Sequence, residues 1–203
     1  MAKDARPLLV TIILAAGESR RMGEPKLFLE VRGGSLLQKA VLAALDLGSP
    51  VVVVTGAYPL KTREHLSDRE EIIFAHNPDW RKGMASSIAV GIRAASVFDP
   101  KGYFITLADQ PSMSVESLSF LADPFLRNPD KIVATWYPER LGVPAIFPAR
   151  YKEDLLSGEG QRGARSLIRQ AGDDVHIVRF RQPPVDIDTP EDYQNWIDGE
   201  TRL

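Results

Sequence analysis

"LLVTIILAAGESRRMGEPK" runs from Leu8 to Lys26, and its reading sets the reading of everything after it. The first seven residues, Leu8–Leu14, are nearly all apolar and rich in β-formers, with no alternation. A strand covered on both faces reads this way, as in a parallel sheet. Two alanines, Gly17, the adjacent Arg20 and Arg21, Gly23 and Lys26 follow without a break. A surface turn needs glycine and charge but not this order; a loop built around a triphosphate does. Gly17 allows close approach to unhindered backbone N–H groups. Arg21 brings a forked donor and Lys26 a point charge to phosphate oxygens, and Pro25 stiffens the approach to Lys26. A dinucleotide fingerprint fails, because Gly17 and Gly23 are six apart with two arginines between them. A Walker loop fails too: Glu24 and Pro25 separate Gly23 from Lys26, and Leu27 stands where Ser or Thr is needed. The bland alternative is a solvated turn in which Glu18 and Glu24 offset the arginines.

Outward from this stretch, strands alternate with helices. Ser35 to Gly48 reads as a helix with a good N-cap and a glycine stop. Val51–Gly56 reads as another buried strand and Glu71–Asn77 as a third strand, with a short helix between them at Pro59–Leu66. "GMASSIAVGIRAAS" reads as a loop entering a helix, and Gly102–Asp109 as a fourth strand. The helix from Ser114 is expected to break near Pro124. Lys131–Tyr137 and Pro144–Pro148 read as strands of a more irregular half. Two short helices, a strand at Val175–Phe180, and a short strand at Val185–Asp188 turning into a helix at Pro190 complete the chain. Such βαβ alternation implies a mostly parallel sheet with helices on both faces, with ligands at the carboxyl ends of the strands. Those ends carry the glycine–arginine loop, Thr55 and Gly56, Asn77, and Asp109 with Gln110.

The totals agree. At 203 residues, 44% hydrophobic and 26% charged, the chain has ordinary globular composition and suffices for one domain, in two halves of about 1–112 and about 113–203. A net charge of −2 argues against a general nucleic-acid binder. The absence of cysteine removes disulfides, thiolate metal sites and cysteine nucleophiles, and fits a cytoplasmic protein. The apolar run Leu8–Ala16 is too short to cross a bilayer, so no membrane partner is expected.

The stretch "LAAGESRRMGEPK" resembles the signature of the MobA-like NTP transferases, closest to the cytidylyltransferases of molybdenum cofactor synthesis. The likeness continues in order through "NPDWRKGMASSIAVGI" (Asn77–Ile92), "LADQP" (Leu107–Pro111), "GVPAIFP" (Gly142–Pro148), "GQRGARSLI" (Gly160–Ile168) and "VDIDTPEDY" (Val185–Tyr193). It implies a Rossmann-like three-layer α/β sandwich of the nucleotide-diphospho-sugar transferase type. It implies a Mg2+-dependent nucleotidyltransferase, with Mn2+ as a substitute, moving CMP from CTP to a phosphate-bearing acceptor of molybdopterin type. A molybdenum enzyme would receive the product. An acceptor that is already an anion needs no general base; the task is charge, which cations address.

The expected catalytic residues are Arg21, Lys26 and Asp109. Nucleotide contacts are expected from Leu14, Ala15, Ala16, Gly17, Glu18, Ser19, Arg21, Met22, Gly23 and Lys26, from Thr55, Gly56 and Asn77, from Gly83, Ser86 and Ser87, and from Asp109 and Gln110. Asp109, at the end of an apolar strand, reads equally as a metal carboxylate or as a turn former before Pro111. Asp186 and Asp188, two apart on a short strand, point the same way; the resemblance favours Asp188 as the second metal ligand. Gly142, Pro144, Arg162, Gly163 and Arg165 are expected to meet the acceptor, the arginines as an anion clamp or else as solvated charges. Trp136 and Tyr137 could wall a flat ring such as a pterin, or belong to the core. His65, His76 and His176 lack metal spacing. Alanine in "LAAG", where guanylyltransferases more often carry a second glycine, would crowd a purine and favours CTP over GTP by about 1–3 kcal/mol at most. The other readings are transfer to a sugar phosphate or similar ester, and a non-catalytic carrier of the cofactor.

Overall fold

The computed structural model describes residues 8–158 and 163–201. Its strands are β1 (Leu9–Ala15), β2 (Glu30–Val31), β3 (Gly34–Ser35), β4 (Val51–Thr55), β5 (Ile72–His76), β6 (Gly102–Leu107), β7 (Ile132–Tyr137), β8 (Arg140–Pro148) and β9 (Val175–Val178). Its α-helices are α1 (Leu36–Asp46), α2 (Pro59–His65), α3 (Met84–Ala95), α4 (Val115–Arg127), α5 (Lys152–Ser157), α6 (Gly163–Ala171) and α7 (Pro190–Thr201).

Seven strands form one sheet in the order β5-β4-β1-β6-β8-β7-β9, while β2 and β3 make a small hairpin. β8 alone runs antiparallel to its neighbours, so the second half of the chain extends the same sheet. Each strand of the parallel core splits its apolar side chains between two layers. Ile13, Val51, Val53 and Phe104 pack under α1 and α4. Val10, Ile12, Val52, Val54 and Ile105 pack under α3, α5 and α6. This is the Rossmann-like three-layer sandwich that unbroken apolar strands require.

α1 starts on a reciprocal capping box: Ser35 Oγ accepts from Gln38 N–H (3.2 Å) and Gln38 Oε1 accepts from Ser35 N–H (3.0 Å). α3 lies very close to the sheet. A Cβ on Gly91 would come within 2.5 Å of Ile12 Cγ2 and 3.0 Å of Val54 Cγ2.

Two local expectations are corrected. α4 does not break at Pro124 but runs on to Arg127, because Phe125 is fully buried and anchors the last turn in the core. Val185–Asp188 forms no strand ladder; its backbone is tied by Ile187 N–H to the carbonyl of Asp109 (3.0 Å). No helix among the described residues is long and apolar enough to cross a membrane.

The chain leaves β1 toward β4 and β5, then returns to place β6 on the other side of β1. The carboxyl ends of β1 and β6 therefore flank the topological switch point, where open α/β sheets bind ligands.

Candidate active site

A cleft of about 250 Å³ opens at that switch point. Its walls include Leu14 and Ala15 from the end of β1, Gly17, Ser19, Arg21 and Lys26 from the segment that follows it, and Asp109 from the turn after β6; Arg20, Leu27 and Asp188 complete it. The loop is pinned from below. Met22 is buried with Val31, Leu36 and Ile187, and Leu27 in the core beneath α1. Ahead of the first anchor Ser19 takes a left-handed backbone (φ 61°), and between the two Gly23 reverses the chain at φ 79°. The Ser19 carbonyl accepts from Met22 N–H (3.0 Å), and its hydroxyl accepts from Lys26 N–H (3.2 Å). Ala16 is buried and its carbonyl accepts from Ala57 N–H (3.1 Å). Glu18 pairs with Arg20 at 2.7 Å. A Cβ at Gly17 would meet nothing within 4 Å, so this face of the loop is open to a ligand.

Lys26 is the hub of the cleft. Its Nζ lies 2.6 Å from Asp109 Oδ2 and 2.7 Å from Asp188 Oδ1, on a side chain only 10% exposed. From an exposed position Arg21 reaches the other oxygen of Asp188, Nη2 to Oδ2 at 2.7 Å. Asp192, at the start of α7, fixes the backbone beneath: its Oδ2 accepts from the N–H groups of Asp188 (3.1 Å) and Thr189 (2.8 Å) and from the Thr189 hydroxyl (2.8 Å).

The electrostatics follow from this packing. Burial would lower the Lys26 ammonium, but Asp109 and Asp188 more than reverse it and hold its pKa above the ordinary value. Burial pushes the Asp109 carboxyl up, against the pull of Lys26. Burial would raise Asp188 as well; there Lys26 and Arg21 prevail and hold it below the usual carboxylate range.

Asp109 Oδ1 is buried and has no hydrogen-bond partner. A buried carboxylate oxygen left unpaired is costly, and a hard divalent cation, which takes oxygen ligands, suits it. Asp109 and Asp188 together would offer two carboxylates, enough for Mg2+, which keeps several waters and shares substrate phosphates. Among the described residues no group of three or more His, Cys, Asp or Glu converges on a metal position.

Gln110 and Asp186, each one or two residues from a cleft carboxylate, line a second cavity of about 320 Å³. Gly142, Gly163 and Arg165 line it as well, and Gly83 joins them there rather than in the phosphate cleft. Pro144 is buried in β8, its carbonyl accepting from the Thr135 hydroxyl (2.7 Å). Arg162 lies outside the described residues.

Several rim residues are engaged internally. Gly56 sits under the loop, where a Cβ would come within 2.7 Å of Ala16 Cβ and 2.8 Å of Trp80 Cβ. Thr55 is buried, 3.4 Å from His76 Nδ1. The Asn77 amide donates to the hydroxyls of Ser86 and Ser87, both at 2.9 Å, and its Oδ1 accepts from Asp79 N–H (3.0 Å). These three polar side chains tie the end of β5 to the start of α3. Sequence reasoning missed Asp192, although Thr189 and Asp192 have capping-box spacing, and it missed the place of Arg140 and Asp186 in the second cavity.

Residues 11–175 match the MobA-like NTP transferase domain. The chain is 29% identical over 186 residues to the molybdenum cofactor cytidylyltransferase of Escherichia coli K12, covering 90% of this chain and 92% of that one. It is 28% identical over 191 residues to a probable molybdenum cofactor guanylyltransferase of Mycobacterium tuberculosis H37Rv, covering 91% and 90%. The Mycobacterium sp. JC1 homologue of Rv0371c superposes with a TM-score of 0.84 at 24% identity, over 98% of this chain and 100% of that one. Rv0371c of M. tuberculosis H37Rv in complex with manganese gives 0.77 at 21% identity, over 96% and 100%.

Proposed function

Because the chain belongs to the MobA-like NTP transferase family and is a nucleotidyltransferase of that type, we propose that it moves CMP from CTP to a phosphate-bearing acceptor of molybdopterin type. An acceptor phosphate oxygen attacks the α-phosphorus, the bond from that phosphorus to the β-phosphate oxygen breaks, and pyrophosphate leaves. The observation that carries this reading is Asp109. It stands at the switch point with one oxygen on Lys26 and the other buried and unpartnered.

Mg2+ held by Asp109 and Asp188, or Mn2+ in its place, would neutralise triphosphate charge there. When nucleotide arrives, Lys26 and Arg21 exchange their carboxylate partners for phosphate oxygens, and the backbone at Gly17 donates to the same group. The cations then stabilise charge that builds as pyrophosphate departs. The acceptor lies in the second cavity, against Gly142, Gly163 and Arg165, with the enzyme working in the cytoplasm and passing product to a molybdenum enzyme. Alanine in the loop favours the smaller base, and relatives of both cytidylyl and guanylyl type make base choice the point to test.

Pyrophosphate release with each of four NTPs, Mg2+ and a panel of acceptors tests the proposal. Turnover is expected with CTP well above GTP, and with a pterin-type acceptor above sugar phosphates. Release equal with all four NTPs, or none with any acceptor, contradicts it.

A further inference from the structure

The second cavity carries a polar arrangement that phosphate chemistry does not use. Gln110 is buried, and its Nε2 donates to both Asp186 Oδ1 (2.7 Å) and the Tyr137 hydroxyl (3.1 Å). Tyr137 in turn donates to the carbonyl of Val143 (2.7 Å), so its oxygen is free to accept from Gln110. The chain of bonds fixes the amide: a flipped Gln110 would set its carbonyl oxygen against the Asp186 carboxylate. As oriented, Gln110 Oε1 is buried with no hydrogen-bond partner. Gln110 engages only Oδ1 of Asp186, and among the described residues no hydrogen bond goes to Oδ2. The cavity wall thus carries one buried acceptor in want of a donor, Gln110 Oε1, beside the half-buried Asp186 carboxylate, on a rigid support. Around them the walls are largely apolar, from Ile88, Leu107, Val143 and Ala164, and Arg140 and Arg165 line the same cavity.

We infer that Asp186 and Gln110 read the acceptor by its ring, accepting hydrogen bonds from the N–H and NH2 groups along one edge of a planar nitrogen heterocycle. The apolar walls take the faces of the ring, and the two arginines favour its anionic tail. Tyr137 is a positioning residue that acts through Gln110. A sugar phosphate offers hydroxyls that can both donate and accept and no flat apolar face, so it fits this surface poorly. This inference rests on the proposed function, since it assigns the second cavity to the acceptor, and it names what would select that acceptor there.

The test is calorimetric titration of the intact chain, loaded with Mn2+ and a non-hydrolysable CTP analogue, using three probes. They are 6-hydroxymethylpterin phosphate, 2-naphthylmethyl phosphate with the same flat shape and no N–H edge, and ribose 5-phosphate. The wild type should bind the pterin ester about ten- to a hundredfold more tightly than the naphthyl ester, the range expected for hydrogen bonds to a charged group. Asp186→Asn should erase that preference while the affinity for the CTP analogue holds. Tyr137→Phe should reduce the preference by a smaller factor, which a merely structural loss, weakening both esters alike, would not do. A wild type that binds pterin and naphthyl esters equally, or an Asp186→Asn variant that keeps the preference, overturns the inference and leaves the nucleotide reading standing. Failure to bind the CTP analogue at all would overturn the proposed function, and this inference with it.

Discussion

Lys26→Met removes the ammonium between Asp109 and Asp188 while keeping the length and apolar stem of the side chain. Deleting one partner of a buried ion pair costs about 3–5 kcal/mol when a charge is stranded. Here the penalty is reduced, because Asp188 is 30% exposed and keeps Arg21 at 2.7 Å. Asp109, already pushed up by burial, can take a proton. The expected loss is about 2–3 kcal/mol, or roughly 5–10 °C in Tm for a chain of this size. The opposite sign is expected for metal. With no ammonium competing for Asp109 Oδ2 and Asp188 Oδ1, Mn2+ alone should bind about tenfold more tightly, and saturating Mn2+ should restore much of the lost Tm. Turnover should nevertheless fall about 100- to 1000-fold, since a cation that stabilises the departing phosphates is gone. Scanning calorimetry with and without Mn2+, paired with titration of free Mn2+ by electron paramagnetic resonance, reads both effects. An unchanged Tm together with weaker Mn2+ binding would refute the reasoning, because Lys26 would then be neither a counter-ion nor a competitor.

Asp109→Asn should lower kcat by about 100-fold or more and weaken Mn2+ binding, with far-ultraviolet circular dichroism unchanged; full activity in this variant would remove Asp109 from the chemistry. Tyr137, raised by burial to about 12, holds its proton in the folded state after the unfolded chain has lost it near 10. Its contribution is therefore fully present below about pH 10 and is lost as pH rises toward 12, roughly 3 kcal/mol in all. Urea midpoints should fall over that range, less steeply in Tyr137→Phe, and equal slopes would contradict the burial of this phenol. Gly91→Val should destabilise by about 2–3 kcal/mol through overlap with Ile12 and Val54, measured by urea unfolding, with KM for nucleotide unaffected. Met22→Ala should cost about 2–3 kcal/mol as a core truncation and also raise KM for nucleotide, because the same side chain pins the glycine–arginine loop; a stability loss with unchanged KM would separate the two roles.

The sheet was legible because its strands are buried on both faces, which leaves runs such as "VVVVTG" with no polar register to misread. α1 was legible from its ends, Ser35 and Gly48. The continuation of α4 past Pro124 was not, because it depends on Phe125 finding a buried seat, a tertiary fact that outweighs the local penalty for proline. For the cleft, residue types in order nominate Arg21, Lys26 and Asp109, and the family resemblance adds Asp188. They could not reveal that Lys26 bridges Asp109 and Asp188, carboxylates 83 and 162 positions further along the chain, since such pairing exists only after β6 and the segment before α7 converge on β1. The polar set Thr55, Asn77, Ser86 and Ser87 lies at strand and helix ends as expected, yet its hydrogen bonds are spent inside the fold, Thr55 on β5 and the other three holding β5 to α3. Side-chain satisfaction of that kind has no one-dimensional signature. The period of two sets Asp186 on the same side as Asp188. Ile187 is fully buried between them, and the flanking carboxylates serve different cavities.

The most direct test of the central claim is a crystal soaked with CTP and Mn2+, examined for anomalous scattering. The account predicts manganese coordinated by Asp109 Oδ1 and Asp188, with the triphosphate lying along the Gly17 loop and its oxygens on Arg21 and Lys26. Manganese away from both aspartates, or a nucleotide bound elsewhere while Lys26 still bridges Asp109 and Asp188, would contradict it.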